Sequence, residues 1–346
     1  MTWFDESRLD DEAALTGVEA RLRWLAESGA RVRRETALAA DALAQAIART
    51  RESGRPRAIV AAGADSRLLR AVLEPFCPVP FVAWPSPGLP GWAGPLDLVV
   101  VLAPGGADPG EAMAAGEAAR RGCRLVVAAP EGSLVAESAG GRDSSLLPVS
   151  SGDQLAIAVV MLSFLAQVGL GPELGTRPQA ADEVAAALDE VAVARSPYRD
   201  LSVNPGKILA ISLADSMPVV WGGSVLAARA ARRVAESLRR ASGRSALAGE
   251  AEDLLPVLEA ARPRDVFDDP FAEPNGSPRP ALVILDDPST DPFHLDQRRR
   301  LTEAADARGV RVEVIASEAG SQVARYASLL LQGTYAAAYL RLGLVE

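Results

Sequence analysis

The sequence predicts an α/β fold of two similar halves, each a doubly wound parallel sheet, preceded by an N-terminal helical region. Two observations point there. Short apolar, β-branched runs alternate with helix-period segments through most of the 346 residues, which implies parallel strands covered by helices on both faces. A strand–glycine turn–serine–helix signature also occurs twice, as Ala58-Ile-Val-Ala-Ala-Gly-Ala-Asp-Ser66 and as Pro218-Val-Val-Trp-Gly-Gly-Ser224. The length suits two domains, each large enough for its own core.

Residues 1–53 read as a helical region, with Leu22, Leu25, Leu38, Leu43 and Ile47 at helical spacing until Gly54-Arg-Pro56 interrupts it. The first domain is placed at 54–170. Its strands are expected at 58–62, 79–83, 98–102, 125–129 and 146–149, with helices at 66–73, 109–121, 133–139 and 154–168. The stretch 169–179, with three Gly and two Pro, reads as a linker. The second domain is placed at 180–346. It opens with helices at 180–194 and 205–215, then has strands at 218–221, 281–285 and 311–315 and helices at 225–241, 296–308 and 322–342. Between them, 262–279 reads as an exposed loop.

Composition excludes several classes of function. A net charge of −9 gives no footprint for nucleic acid or an anionic membrane. No secretory signal is visible at the N-terminus, and the most apolar segment, 155–165, is too short to span a bilayer, so the protein is expected in the cytoplasm, away from membranes. Cys77 and Cys123 stand far apart, with no Cys/His cluster; a zinc site would need carboxylates for most of its ligands. No metal or cofactor is expected. Lys207 is the sole lysine and His294 the sole histidine, which restricts the groups able to move protons near neutral pH.

Each glycine turn presents backbone N–H groups and a helix N-terminus to an anion, or is simply a structural βα connection. Gly63 and Ser66 in the first turn, and Gly222, Gly223 and Ser224 in the second, are therefore candidate ligand-binding residues. A dinucleotide site fits less well. Neither turn has the full G-x-G-x-x-G spacing, and the second strand, ending Phe81-Val-Ala-Trp84, supplies no acid for a ribose.

Several segments together resemble the bifunctional phosphoglucose/phosphomannose isomerases, which carry two SIS (sugar isomerase) domains per chain. They are Asn204-Pro-Gly-Lys-Ile-Leu-Ala, Met217-Pro-Val-Val-Trp-Gly-Gly-Ser224, Asp97-Leu-Val-Val-Val, Gly122-Cys-Arg-Leu-Val-Val-Ala-Ala-Pro130 and Ala338-Tyr-Leu340. The resemblance implies two SIS-like doubly wound domains, a homodimer and a hexose 6-phosphate ligand. It also implies aldose–ketose isomerisation by a carboxylate base, with a His and a Lys for ring opening.

The chain departs from that pattern at most of the chemical positions. Ala64-Asp65-Ser66 stands where the family has Gly-Gly-Ser. Ala103-Pro-Gly-Gly-Ala-Asp108 replaces the family's Ser-Tyr-Ser-Gly-Asn-Thr, leaving Gly105, Gly106 and Asp108 as the candidates in that loop. Asp108-Pro-Gly-Glu111 reads as a helix start with its own acidic cap. Arg240 falls where the base belongs, and the family's lysine position has no counterpart. Asp108 is expected to repel phosphate unless Arg67 or Arg70 neutralises it. The expected function is carbohydrate-derivative binding or regulation by a catalytically degenerate SIS protein, its ligand a sugar phosphate or other small anion. The alternative is an active isomerase with recruited groups, for which Glu250 and His294, the latter in a loop, are the catalytic candidates. Tyr326, Leu329, Leu330, Tyr335, Tyr339 and Leu342 on the last helix suggest an apolar face for a twofold dimer.

Overall fold

The computed structural model describes residues 3–63, 66–171, 179–262 and 278–345. Ala64 and Asp65, most of the expected linker and most of the 262–279 loop lie outside these residues. Among the described residues, no helix is long and apolar enough to cross a membrane. The chain divides into two compact units: an insert unit, Ser28–Ala185, and a terminal unit made of Met1–Glu27 with Ala186–Glu346. The helical stretch expected over 1–53 is thus divided after Glu27. Helical spacing identifies a buried face without saying which core it faces.

The chain opens with β1 (Trp3–Phe4), a 3-10 turn, α1 (Glu12–Thr16) and α2 (Glu19–Ala26). The insert unit follows as α3 (Ser28–Leu38), α4 (Ala40–Glu52), β2 (Ile59–Gly63), α5 (Ser66–Leu73), β3 (Phe81–Ala83), β4 (Leu98–Leu102) and α6 (Pro109–Arg120). It continues with β5 (Arg124–Ala129), α7 (Leu134–Ser138), β6 (Ser144–Pro148) and α8 (Gln154–Gln167). Its sheet is wholly parallel, in the order β3-β2-β4-β5-β6. The central strand β4, Leu-Val-Val-Val-Leu, is buried along its whole length. That is why it reads as a continuous apolar run without alternation. At the strands' amino end, buried Asp97 accepts two bonds from Arg57, at 2.6 and 2.9 Å, and one from the Gly94 N–H at 2.9 Å.

The helix α9 (Gln179–Ala194) leads into α10 (Pro205–Leu213), β7 (Ser216–Gly222), α11 (Val225–Ser242), β8 (Leu247–Ala248), α12 (Ala251–Glu259) and β9 (Arg279–Asp286). Then come α13 (Pro292–Ala307), β10 (Arg311–Ala316), α14 (Gln322–Gly343) and β11 (Leu344–Val345). The terminal unit's main sheet is also parallel, in the order β10-β9-β7-β8. Both β8 and α12 are absent from the sequence expectation. Two residues are too few for a periodic signal, and Pro256 within α12 argues against a helix.

Three helices start on an Asx-Pro pair. Asn204, Asp108 and Asp291 each accept a backbone N–H with the side chain, and the proline that follows supplies a preset φ where no N–H is needed. His294 therefore stands in the first turn of α13, not in the loop expected from sequence, because the Asp291 cap starts the helix four residues earlier than its apolar spacing suggested.

The last helix also differs from expectation. Tyr326, Leu329, Tyr335, Tyr339 and Leu342 are at most 3% exposed, while Leu330 is half-buried. The helix packs chiefly on α11 and α10 of its own unit, so these five side chains belong to the core and do not form an exposed face. Around them, the sole lysine acts as a clamp. Lys207 is fully buried, and its Nζ donates to the Asp10 carboxylate, to Pro197 O at 2.8 Å and to Arg199 O at 2.9 Å. It thereby ties the first residues of the chain to α10. β1 pairs antiparallel with β11, adding a second tie.

Candidate functional site

The strand orders locate the crevices where ligands bind in open α/β sheets. From β2 the insert sheet first grows outward to β3, then reverses to β4, so the reversal lies between β2 and β4. The terminal sheet does the same, reversing between β7 and β9. At each reversal the two adjoining strands send their chains in opposite directions, opening a crevice at their carboxyl ends. The sequence candidates Gly63, Ser66, Gly105, Gly106 and Asp108 stand at the first reversal, and Gly222, Gly223 and Ser224 at the second.

In the insert unit the chain's own carboxylates stand at this crevice. Asp108 caps α6, accepting the Glu111 N–H at 3.0 Å. Glu111 reaches across to β2: its Oε1 is 3.1 Å from where a Cβ on Gly63 would stand, and Leu102 O is closer still. Gly63 has φ +85°, so both space and conformation require glycine there. Gly106, at φ +65°, packs on Ser133, while Gly105 faces open space. Ser66, the first residue of α5, is buried. Arg70 pairs with Glu74 at 2.9 Å on its own helix, so it is committed away from Asp108.

The turn after β6 is self-filled. The buried Glu35 carboxylate accepts the N–H groups of Ser150 and Ser151, at 2.9 and 2.6 Å, and the Ser150 hydroxyl at 3.1 Å. Next to it, Arg31 donates to Asp153 at 2.7 Å, and Asp153 caps α8. Such a cluster of N–H groups is the kind of nest that binds an anion, and here the anion is Glu35. None of these five residues was a sequence candidate, since Glu35 lies more than a hundred positions from the serines it binds.

The terminal-unit crevice has a different lining. Ser224 caps α11, accepting the Ala227 N–H at 3.1 Å, and donates its own proton to Asp287 in the turn after β9. The bond spans the reversal from one turn to the other. Gly222 has no room for a side chain: a Cβ would stand 2.5 Å from Ala227 O. On Gly223 a Cβ would meet His294 Cβ at 3.0 Å, so the imidazole of the first α13 turn rests against this glycine. Ser289 Oγ lies 2.9 Å from His294 Nδ1. The structure thus gathers Gly222, Gly223, Ser224, Asp287, Ser289 and His294.

Glu250 does not join them. It stands exposed at the start of α12, with Arg232 3.3 Å away. No Glu250–His294 hydrogen bond is formed, so the two catalytic candidates do not make a pair. Asp287 and Ser289 were missed by sequence reading. The available signal was Asp286-Asp287-Pro288-Ser289 directly after the apolar run of β9, a third strand–turn–helix junction in that half.

Comparison with known proteins agrees with this fold. Residues 202–343 match the family model for the bacterial phospho-glucose isomerase C-terminal SIS domain, a span that contains the whole terminal-unit crevice. No curated protein sequence matches the chain significantly. Among solved structures, tagatose-6-phosphate ketose/aldose isomerase from Escherichia coli is similar with a TM-score of 0.66 and 16% identity, over 95% of this chain and 94% of that one. The C-terminal domain of glucosamine-fructose-6-phosphate aminotransferase from Francisella tularensis is similar with a TM-score of 0.58 and 11% identity, over 90% of this chain and 95% of that one. Neither finding singles out the bifunctional phosphoglucose/phosphomannose isomerases. What they establish is a chain of two SIS-like domains with the fold of the phosphosugar isomerases, similar over residues 202–343 to the C-terminal SIS domain of bacterial phosphoglucose isomerase.

Proposed function

We propose that this protein binds a carbohydrate derivative through hydroxyl or amino groups, without phosphate recognition and without isomerase turnover. The observation that carries the proposal is the acid in each crevice: Asp108 and Glu111 at the first reversal, Asp287 at the second. A helix N-terminus favours an anion by about 0.3–2 kcal/mol. A carboxylate charge about 4 Å from a phosphate charge opposes it by roughly 4 kcal/mol at an effective dielectric near 20. Repulsion wins at both places. Sugar hydroxyls and ammonium groups instead find acceptors there. The terminal-unit crevice, with Ser224, Asp287 and His294, is the better seat, because Glu111 reaches across its counterpart to Gly63.

Turnover by the family's route needs a carboxylate base working with a histidine and a lysine. Here Lys207 is buried in the Asp10 clamp and Glu250 is engaged by Arg232. The active-isomerase alternative gains one point, since His294 stands in a crevice instead of a distant loop. The homodimer remains a proposal from the resemblance alone, checked by light scattering, where a 36.1 kDa particle would refute it.

The deciding experiment is thermal unfolding with glucose 6-phosphate, fructose 6-phosphate, glucose and glucosamine, alongside an isomerase assay. A ligand at a hundred times its Kd stabilises the folded state by about 2.7 kcal/mol. Stabilisation by glucose or glucosamine alone is expected. Stabilisation or turnover with the phosphates would overturn the reading and favour the isomerase.

A further inference from the structure

Glu111 and His294 occupy the same place in matching local sequences, Asp108-Pro-Gly-Glu111 and Asp291-Pro-Phe-His294. In each, the aspartate caps the helix, proline takes the first helical position, and the third residue leans on a glycine of the neighbouring turn. One crevice therefore receives a carboxylate and the other an imidazole. What a neutral imidazole offers depends on its tautomer, since one nitrogen donates and the other accepts.

The hydrogen bonds around Ser289 bear on the tautomer. Its Oγ accepts the Asp291 N–H at 3.3 Å and lies 2.9 Å from His294 Nδ1. A hydroxyl has one proton to donate. Among the described residues, Nδ1 is the acceptor within hydrogen-bond distance of it. Given to Nδ1, that proton leaves the neutral ring with its own proton on Nε2.

We propose that Ser289 is a positioning residue that holds His294 in the Nε2–H tautomer. The terminal-unit crevice then offers a hydrogen-bond donor to a ligand oxygen, where the insert unit's matching helix start carries the Glu111 carboxylate. The donor role rests on the proposed ligand seat; the tautomer belongs to the free protein and is tested separately. Gly223 is part of the device, because a side chain there would press on the ring.

His294 is the only histidine of the chain, so a protein labelled with nitrogen-15 histidine shows a single imidazole. With the ring neutral, the ligand-free spectrum should show a protonated Nε2 and an unprotonated Nδ1. Ser289→Ala should raise the Nδ1–H fraction roughly fivefold, the effect of one hydrogen bond, while Ser289→Thr keeps the original ratio. A protonated Nδ1 in the unaltered protein, or an unchanged ratio in a folded Ser289→Ala variant, overturns the assignment. Should the variants fail to fold, the unaltered protein's spectrum still decides. With glucose or glucosamine, the Nε2 resonance should move over the concentrations that raise the unfolding temperature. A thermal shift with a motionless Nε2 refutes the donor role and leaves the binding proposal standing. Absence of any thermal shift refutes the binding proposal and the donor role with it, and the ligand-free spectrum still settles the tautomer.

Discussion

Replacing Gly222 by alanine should cost about 3 kcal/mol, whereas the same change at Gly223 should cost less than about 1 kcal/mol. The two glycines are adjacent but differ in what surrounds them. A Cβ on Gly222 would stand 2.5 Å from Ala227 O and 2.8 Å from Ala227 Cβ. Ordinary carbon contacts begin near 3.5 Å, so the first turn of α11 would have to retreat by roughly 1 Å. Backbone shifts of this kind cost about 1–3 kcal/mol, and the retreat would also weaken the Ser224 cap, worth about 1 kcal/mol. On Gly223 the nearest atoms are His294 Cβ at 3.0 Å and the Trp221 ring at 3.1 Å, so the neighbours would have to give by only a few tenths of an ångström. The terminal unit has about 190 residues, a size for which each kcal/mol moves the unfolding midpoint by roughly 2–4 °C. Differential scanning calorimetry should therefore show Gly222→Ala lower by about 6–12 °C and Gly223→Ala by no more than about 4 °C. Equal shifts would refute the close packing of Gly222 against the first turn of α11.

Three further outcomes follow from the same structure. Lys207→Met should cost about 2–4 kcal/mol by leaving Asp10 and two carbonyls without their cation, and should speed amide exchange in residues 3–26; unchanged exchange there would refute the clamp. Burial pushes the Asp97 carboxyl upward, but the bonds from Arg57 and Gly94 outweigh it and hold the group below the usual range. Its contribution is then present above the unfolded value near 4 and lost as pH falls through the lower folded value. Asp97→Asn should destabilise by about 1–3 kcal/mol at pH 7 and flatten the dependence of urea midpoints on pH between 2 and 6; a parallel curve would refute the role. Asp108→Ser keeps a hydroxyl cap, so stability should change by less than about 0.5 kcal/mol. If phosphate affinity is latent at α6, glucose 6-phosphate should stabilise this variant before the unaltered protein, and a large loss of stability would contradict the capping role.

Local sequence alone determined most strands, most helices and the two glycine turns, because these depend on periodicity, caps and steric limits within a few residues. A continuous apolar run such as Leu98–Leu102 can only be a buried strand or helix, and its length and flanking turns settle which. Asp108-Pro-Gly-Glu111 likewise contains everything its helix start requires. Tertiary structure decided which side chains meet. The reversal of strand order brings the turns after β7 and β9 together, so Ser224 finds Asp287 across 63 positions, and Glu35 finds Ser150 across 115. Neither pairing leaves a trace in local spacing, since the cost of closing a loop varies only slowly with its length. The burial of α14 had the same origin: its apolar residues were legible, but whether they face their own unit or a partner depends on surfaces supplied by the rest of the fold. The role of His294 was hidden for a similar reason, because a lone histidine acquires chemistry only from the serine and glycine that folding places beside it.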